Sequence, residues 1–279
     1  MTGTLDIYVI NLDRSLDRLS LISDLFKSHG IPFQRIAAVD GSLLSDPDAL
    51  RDIGKFSVDG GEVLSATQVA ITRSHLKALG SFLGSTADYA LILEDDAFFD
   101  ERLLPFLQAF LASALEFGPF DGLELSGSGG SSADYIRPLK ALNGHTIGKA
   151  RKLTPVAAGM LYSRKGAAKL VRKAQPVTTH WDNYLSLAWK HQAQILTVRP
   201  YLISQNPALH STYQVEKSAA PVPASNRQVL KRLAHRMYQG PKRFFTDLRW
   251  LGVLGILRHP SVWRHHPQRE TQPVATPAE

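Results

Sequence analysis

Three consecutive acids, Glu94, Asp95 and Asp96, follow an uninterrupted apolar run, Ala90-Leu91-Ile92-Leu93. Carboxylate oxygens are hard ligands that suit Mg²⁺ or Mn²⁺. Crowded together, such groups stay ionised only beside a cation. The run before them has the composition of a buried strand, and open α/β sheets collect their ligands at the carboxyl ends of strands. Continued strand geometry predicts Glu94 and Asp96 on one side and Asp95 on the other, which makes half of an oxygen-ligand site. The competing reading is a strand-terminal turn with solvated acids.

The elements that must position this triplet follow from periodicity. Residues 5–12, LDIYVINL, form a short β-rich run. Leu16, Leu19, Ile22, Leu25 and Phe26 recur at helical spacing until His29-Gly30. PFQRIAAV predicts a second strand ending at Asp40-Gly41, and residues 42–61 read as a loop or irregular insertion. Ser65 is an N-cap candidate for a helix over 67–83. Strands are expected at DYALILEDDA, DGLELS, 156–163 and 193–198, and helices at 103–117, 165–173 and 181–191. Alternating strands and helices predict a doubly wound α/β domain with a mostly parallel sheet. A Pro- and Ser-containing break near residue 221 separates this body, residues 1–217, from a tail, residues 218–279.

The net charge of +7 belongs to the tail. From Ala220 onward there are ten Lys and Arg against three acids, and the first 219 residues carry 22 of each sign. Cysteine is absent, which excludes a disulfide framework and thiolate chemistry. No run approaches the roughly 18 apolar residues of a membrane span. The opening MTGTLDIYVINLDRSLDR lacks a basic leader and reads as a strand and loop. A cytoplasmic location is the expectation.

Several segments, in order, resemble glycosyltransferase family 25, which includes lipooligosaccharide and collagen galactosyltransferases. They are IYVINLDRSLDRL, GIPFQRIAAVDG, LSATQVAITRSHLKAL, ALILEDDA and AAGMLYSRKGAAKL, spanning roughly residues 5–205. The resemblance implies a GT-A type fold, a UDP-sugar donor, a divalent cation (Mn²⁺ or Mg²⁺) and inversion at the anomeric carbon. Asp96 is then the direct metal ligand, Glu94 binds directly or through water, and Asp95 holds a sugar hydroxyl or braces a neighbour. One departure stands out: Gln68, Ala70 and Ile71 replace the acid and Gly-Cys pair usual in the middle of the Leu-Ser…Ser-His helix, while Ser74 and His75 remain.

In GT-A folds the edge after the first strand meets the nucleoside and diphosphate. Asn11, Arg14 and Arg18 lie there, and arginine suits bidentate phosphate binding. The alternative is a helix start capped by Ser15, with Arg18 facing water. Asp40 is placed to bond ribose hydroxyls; the alternative is a plain Asp-Gly turn. Ser74 and His75 complete the donor-side candidates, His75 being equally readable as a structural hydrogen-bonding residue. Inversion needs a general base, and Asp182 is the candidate, with helix capping as its alternative. Trp181 is readable as a sugar platform or a core residue. His210 is a late histidine of the kind GT-A enzymes recruit as a further metal ligand.

In the tail, basic clusters alternate with Phe244, Phe245, Leu248, Trp250, Leu251, Val253 and further apolar residues. This predicts a basic amphipathic helix on an anionic membrane surface, ending in about ten disordered residues. Packing on the body is the competitor; no nucleic-acid module is visible. The function expected is transfer of a hexose, galactose, to a lipopolysaccharide-type glycan or lipid-linked glycan at the inner face of a membrane. Two alternatives are a non-catalytic membrane- or surface-associated protein retaining the fold, and a nucleotidyltransferase. The latter needs a glycine-rich loop where Asn11-Leu12-Asp13-Arg14 stands.

Overall fold

A computed structural model describes residues 3–44, 64–127, 136–150, 153–154, 156–175, 177, 179–206, 208–209 and 226–257. The strands are β1 (Leu5–Asn11), β2 (Gln34–Ala37), β3 (Tyr89–Glu94), β4 (Ala97–Phe99), β5 (Gly122–Glu124), β6 (Ile136–Leu142), β7 (His145–Ala150), β8 (Gly159–Ser163), β9 (Ile195–Arg199) and β10 (Ile203–Gln205). The helices are α1 (Leu16–Ser28), α2 (Ala66–Gly84), α3 (Leu103–Ala112), α4 (Arg164–Ala174), α5 (Trp181–Leu185), α6 (Ala188–His191) and α7 (Asn226–Leu257).

Eight strands form one sheet in the order β2-β1-β3-β8-β5-β9-β7-β6. Six run one way, and β8 and β7 run against them, so the expected mostly parallel α/β sheet is observed. Its central strands are covered on both faces, which is why they read as continuous apolar runs. Ile7, Val9, Leu91 and Leu93 enter the core under α1 and α3, while Tyr8, Ile10, Ala90 and Ile92 enter the core under α2, α4 and α5. β4 and β10 pair separately as a small antiparallel ribbon.

Helix α2 begins where expected. The Ser65 side chain accepts from the Gln68 N–H while the Gln68 side chain accepts from the Ser65 N–H, a reciprocal capping box. The single helix expected over 181–191 is two short helices, α5 and α6, and that over 103–117 ends at Ala112 before a 3₁₀ turn, Ala114–Phe117. The β6–β7 hairpin, unforeseen, turns on Asn143 and Gly144, both with positive φ.

Helix α7 packs on the body along one side. Leu251 is fully buried, the Arg137 Nη1 donates to its carbonyl at 2.6 Å, and Lys149 lies 4.2 Å above the Trp250 ring. Gly252, with φ of 72°, interrupts the helix there. Met237, Phe244, Phe245 and Val253 remain exposed. The competing reading of the tail is therefore realised for part of its apolar surface; the expected disordered end lies outside the described residues. No helix among the described residues is long and apolar enough to cross a membrane.

Candidate active site

The site grows from the pairing of β1 with β3. Parallel register sets Ile10 opposite Glu94, so the residues that leave both strands meet at one edge. Asn11, 1% exposed, donates through Nδ2 to Asp95 Oδ2 at 2.8 Å and to the Ser15 carbonyl at 3.0 Å. Its Oδ1 accepts from Arg35 Nε at 2.9 Å. The amide is thus committed to positioning Asp95 and the loop into α1, not open to a donor as expected.

Arg18 does not face water. It points back from the first turn of α1, and its Nη2 lies 2.6 Å from Asp95 Oδ1 and 3.1 Å from Asp96 Oδ2. Ser15 stands at the N-cap of α1, but its side chain makes no cap bond. Asp96 Oδ2 also accepts from Gln205 Nε2 at 3.2 Å, and the Asp96 carbonyl accepts from the Asn206 N–H at 2.7 Å. These contacts correct the expected side-to-side alternation. β3 ends at Glu94, and Asp95-Asp96 form the turn into β4, so the pleat stops and both aspartates reach the same guanidinium.

Glu94 turns toward α2 instead. Its Oε1 lies 3.1 Å from His75 Nε2, and its side chain is 28% exposed. The His75 ring is buried and stacks on Trp181, centroids 5.0 Å apart and planes 10° from parallel. Asp182 follows in the first turn of α5, half-buried, close enough for its charge to act on both His75 and Tyr162.

Burial, then repulsion from Asp96 and Asp95, pushes Glu94 up to about 8 against the opposing pull of Arg18. Burial likewise raises Asp95 and Asp96, with Arg18 the largest opposing influence on each. Burial lowers His75 to about 4, partly offset by Asp182. Both directions favour an uncharged His75–Glu94 pair at neutral pH in the metal-free protein. Across the interval from its ordinary value to about 8, the folded chain holds a Glu94 proton that the unfolded chain has lost, so stability falls as pH rises. His75 acts oppositely, adding stability as pH rises from about 4 to its ordinary 6.5. Above pH 6.5 only the Glu94 contribution of this pair remains. The urea midpoint of the metal-free protein is expected to drop between pH 6.5 and 8.5, and Glu94→Gln to flatten that slope. An unchanged slope in the variant would assign the ionisation elsewhere.

The remaining expected site residues fall into three groups. Arg14 and Asp40 form an ion pair at the same sheet edge, with Arg14 side chain 54% exposed. Asp40 also accepts from the Ser42 N–H at 2.9 Å and Ser42 Oγ at 2.7 Å, capping the 3₁₀ turn Gly41–Leu43, so its turn role is real. Ser74 is a brace: its buried hydroxyl donates to the Ala70 carbonyl at 2.7 Å and accepts from the Val39 N–H at 2.8 Å, leaving it no open face toward a donor. His210 lies outside the described residues. Gln205 escaped sequence reasoning because its contact comes from a three-residue strand, β10, that carries no periodic signal.

Among the described residues no group of three His, Asp or Glu side chains converges as a metal cage. The fit of a cation rests on narrower observations. Asp96 Oδ1 is buried with no hydrogen-bond partner, and Asp95 and Asp96 share one arginine while Glu94, next to them, contacts His75. An all-oxygen donor set suits Mg²⁺ or Mn²⁺.

Open α/β sheets bind ligands outside the carboxyl ends of their strands, and the three acids of this chain stand at that edge. The model of glycosyltransferase family 25 (LPS biosynthesis protein) matches residues 4–185. The chain belongs to that family, and it is a transferase of the glycosyltransferase class. No curated protein matches it. Solved structures with a similar layout include a glycosyltransferase involved in glycosylation of the major capsid of PBCV-1 (6% identity, 84% of this chain and 99% of that chain, TM-score 0.36). Glucosyl-3-phosphoglycerate synthase from Mycobacterium tuberculosis, in complex with Mn²⁺, UDP-glucose and phosphoglyceric acid, is another (11%, 85% and 79%, TM-score 0.39). The inositol-1-phosphate CTP transferase from T. maritima is a third (13%, 80% and 100%, TM-score 0.36).

Proposed function

We propose that the protein transfers a hexosyl group, galactose, from a UDP-sugar to a lipopolysaccharide-type or other lipid-linked glycan, with inversion. The observation that carries this reading is the bare, buried Asp96 Oδ1 beside Glu94 at the end of β3, in a chain of family 25. Asp96 and Glu94 would hold Mn²⁺ or Mg²⁺. When bound, the cation offsets the charge that grows on the departing diphosphate. Arg14 and Arg18 face the diphosphate, and Asp40 faces the ribose. Asp182 takes the proton of the acceptor hydroxyl, on the face opposite the leaving group. Trp181, being fully buried, serves as the wall that fixes His75 and Asp182 and not as an open sugar platform.

Metal-dependent release of UDP from a panel of UDP-sugars with a glycan acceptor tests the reading. UDP-galactose should be turned over, EDTA should abolish turnover, and NMR should show inverted anomeric configuration. Equal UDP release in EDTA, or none from any donor, would sink it.

We further propose that helix α7 contacts an anionic membrane at its inner, cytoplasmic face. Phe244 and Phe245, 48% and 67% exposed, stand beside exposed Lys242 and Arg249. Aromatic rings enter the headgroup boundary, and each nearby basic residue adds about 1 kcal/mol on an anionic leaflet. Phe244→Ser with Phe245→Ser should lower co-sedimentation with phosphatidylglycerol vesicles about tenfold or more, leaving the fold intact by circular dichroism. Undiminished co-sedimentation would remove α7 from the membrane.

A further inference from the structure

Arg18 stands where Asp95 and Asp96 need positive charge. Its side chain is 16% exposed and its Nη2 contacts both carboxylates. Two buried polar atoms here have no partner, Asp96 Oδ1 and Arg18 Nε. A buried oxygen and a buried N–H left bare each carry a desolvation cost that a suitable ligand would relieve. A divalent cation suits the oxygen and an anionic oxygen suits the N–H; a metal-bound diphosphate offers both. A guanidinium fork also grips phosphate through two parallel bonds.

We propose that Arg18 is a stand-in cation in the ligand-free protein, drawn off Asp95 and Asp96 onto the donor's diphosphate as the metal arrives, so that metal and nucleotide bind interdependently. The proposal rests on the UDP-sugar reading of this site. Guanidinium and metal repel each other across a few ångströms of partly buried space, which opposes metal binding to the empty protein. A diphosphate attracts both, so each ligand strengthens the other by the same factor. The carboxylates need not follow Arg18 when it moves. Asn11 holds Asp95 at 2.8 Å, itself fixed by Arg35 at 2.9 Å, and Gln205 holds Asp96 at 3.2 Å.

Mn²⁺ titrations of the full chain, read by the electron paramagnetic resonance of free Mn²⁺ with and without UDP, test this. Wild-type protein alone should bind Mn²⁺ weakly, and UDP should tighten binding about a hundredfold or more. Arg18→Gln should bind Mn²⁺ alone on the order of tenfold tighter than wild type, with a correspondingly smaller UDP enhancement. Arg18→Lys, which keeps the charge, should bind Mn²⁺ alone as weakly as wild type. Equal affinities of wild type and Arg18→Gln without UDP would overturn the proposal while leaving the donor reading intact. If Arg18→Gln fails to fold by circular dichroism, tight Mn²⁺ binding by empty wild type or by Arg18→Lys still overturns it. Absence of Mn²⁺ binding even with UDP would remove both the donor reading and the proposal.

Discussion

Asp96→Asn is expected to lower turnover of the UDP-sugar about a thousandfold while leaving the protein folded. The substitution keeps the size of the side chain and a carbonyl oxygen able to accept from Gln205, which now sits 3.2 Å from Oδ2. It removes the charge, and charge is what a divalent ligand requires. Stability should hardly suffer, because asparagine keeps the contact with Gln205 and burial disfavours the charge of the Asp96 carboxyl. The matched Asp95→Asn variant should lose less, since Asp95 is tied to Asn11 and Arg18 and has no bare oxygen among its carboxylate contacts. Initial rates over a range of Mn²⁺, with thermal melts alongside, measure both. An Asp96→Asn enzyme keeping more than about a tenth of wild-type turnover would take Asp96 out of the metal role.

Trp181→Ala carries the largest expected loss of stability, about 3–5 kcal/mol by urea denaturation. The indole is fully buried in the core under α2, α4 and α5, stacked on His75 and tilted against Tyr184 at 5.5 Å. Removing it leaves a cavity that a short five-residue helix, α5, cannot close without moving. Activity should fall beyond what unfolding explains, because His75 loses its stacking partner and Asp182 sits on the same turn. Trp181→Phe, which keeps a ring, should recover much of both. A stability loss under about 1 kcal/mol for the alanine variant would show that the site collapses around the gap and that Trp181 is not the wall described.

Much of the fold was legible because its signals are local. β1 and β3 are apolar runs buried on two faces, α2 carries its own capping box, and all three begin within a residue of expectation. The β6–β7 hairpin was missed although Asn143-Gly144 is a strong two-residue turn signal. Its flanking strand β6 has an exposed Arg137-Pro138-Leu139 run that resembles a loop. β4 and β10 are three residues each, and their pairing joins segments some hundred residues apart, beyond any periodic argument.

By itself the amino-acid sequence determined the order of elements, the burial of β3 and the appearance of three acids at its end, because apolar periodicity and strand termination are properties of neighbouring residues. It also determined the family, through motifs spread in order along residues 4–185. Only the tertiary structure decided what each acid does. The turn after Glu94 cancels the strand's alternation and sends Glu94 to His75 and the two aspartates to Arg18. It withdrew Asn11 and Ser74 into bracing roles, since hydrogen bonds to Asp95 and Val39 use groups that looked open in one dimension. Those outcomes depend on which side chains meet across 19 to 84 residues of chain, and charge at such a site is set by that meeting and by burial, neither of which local sequence encodes.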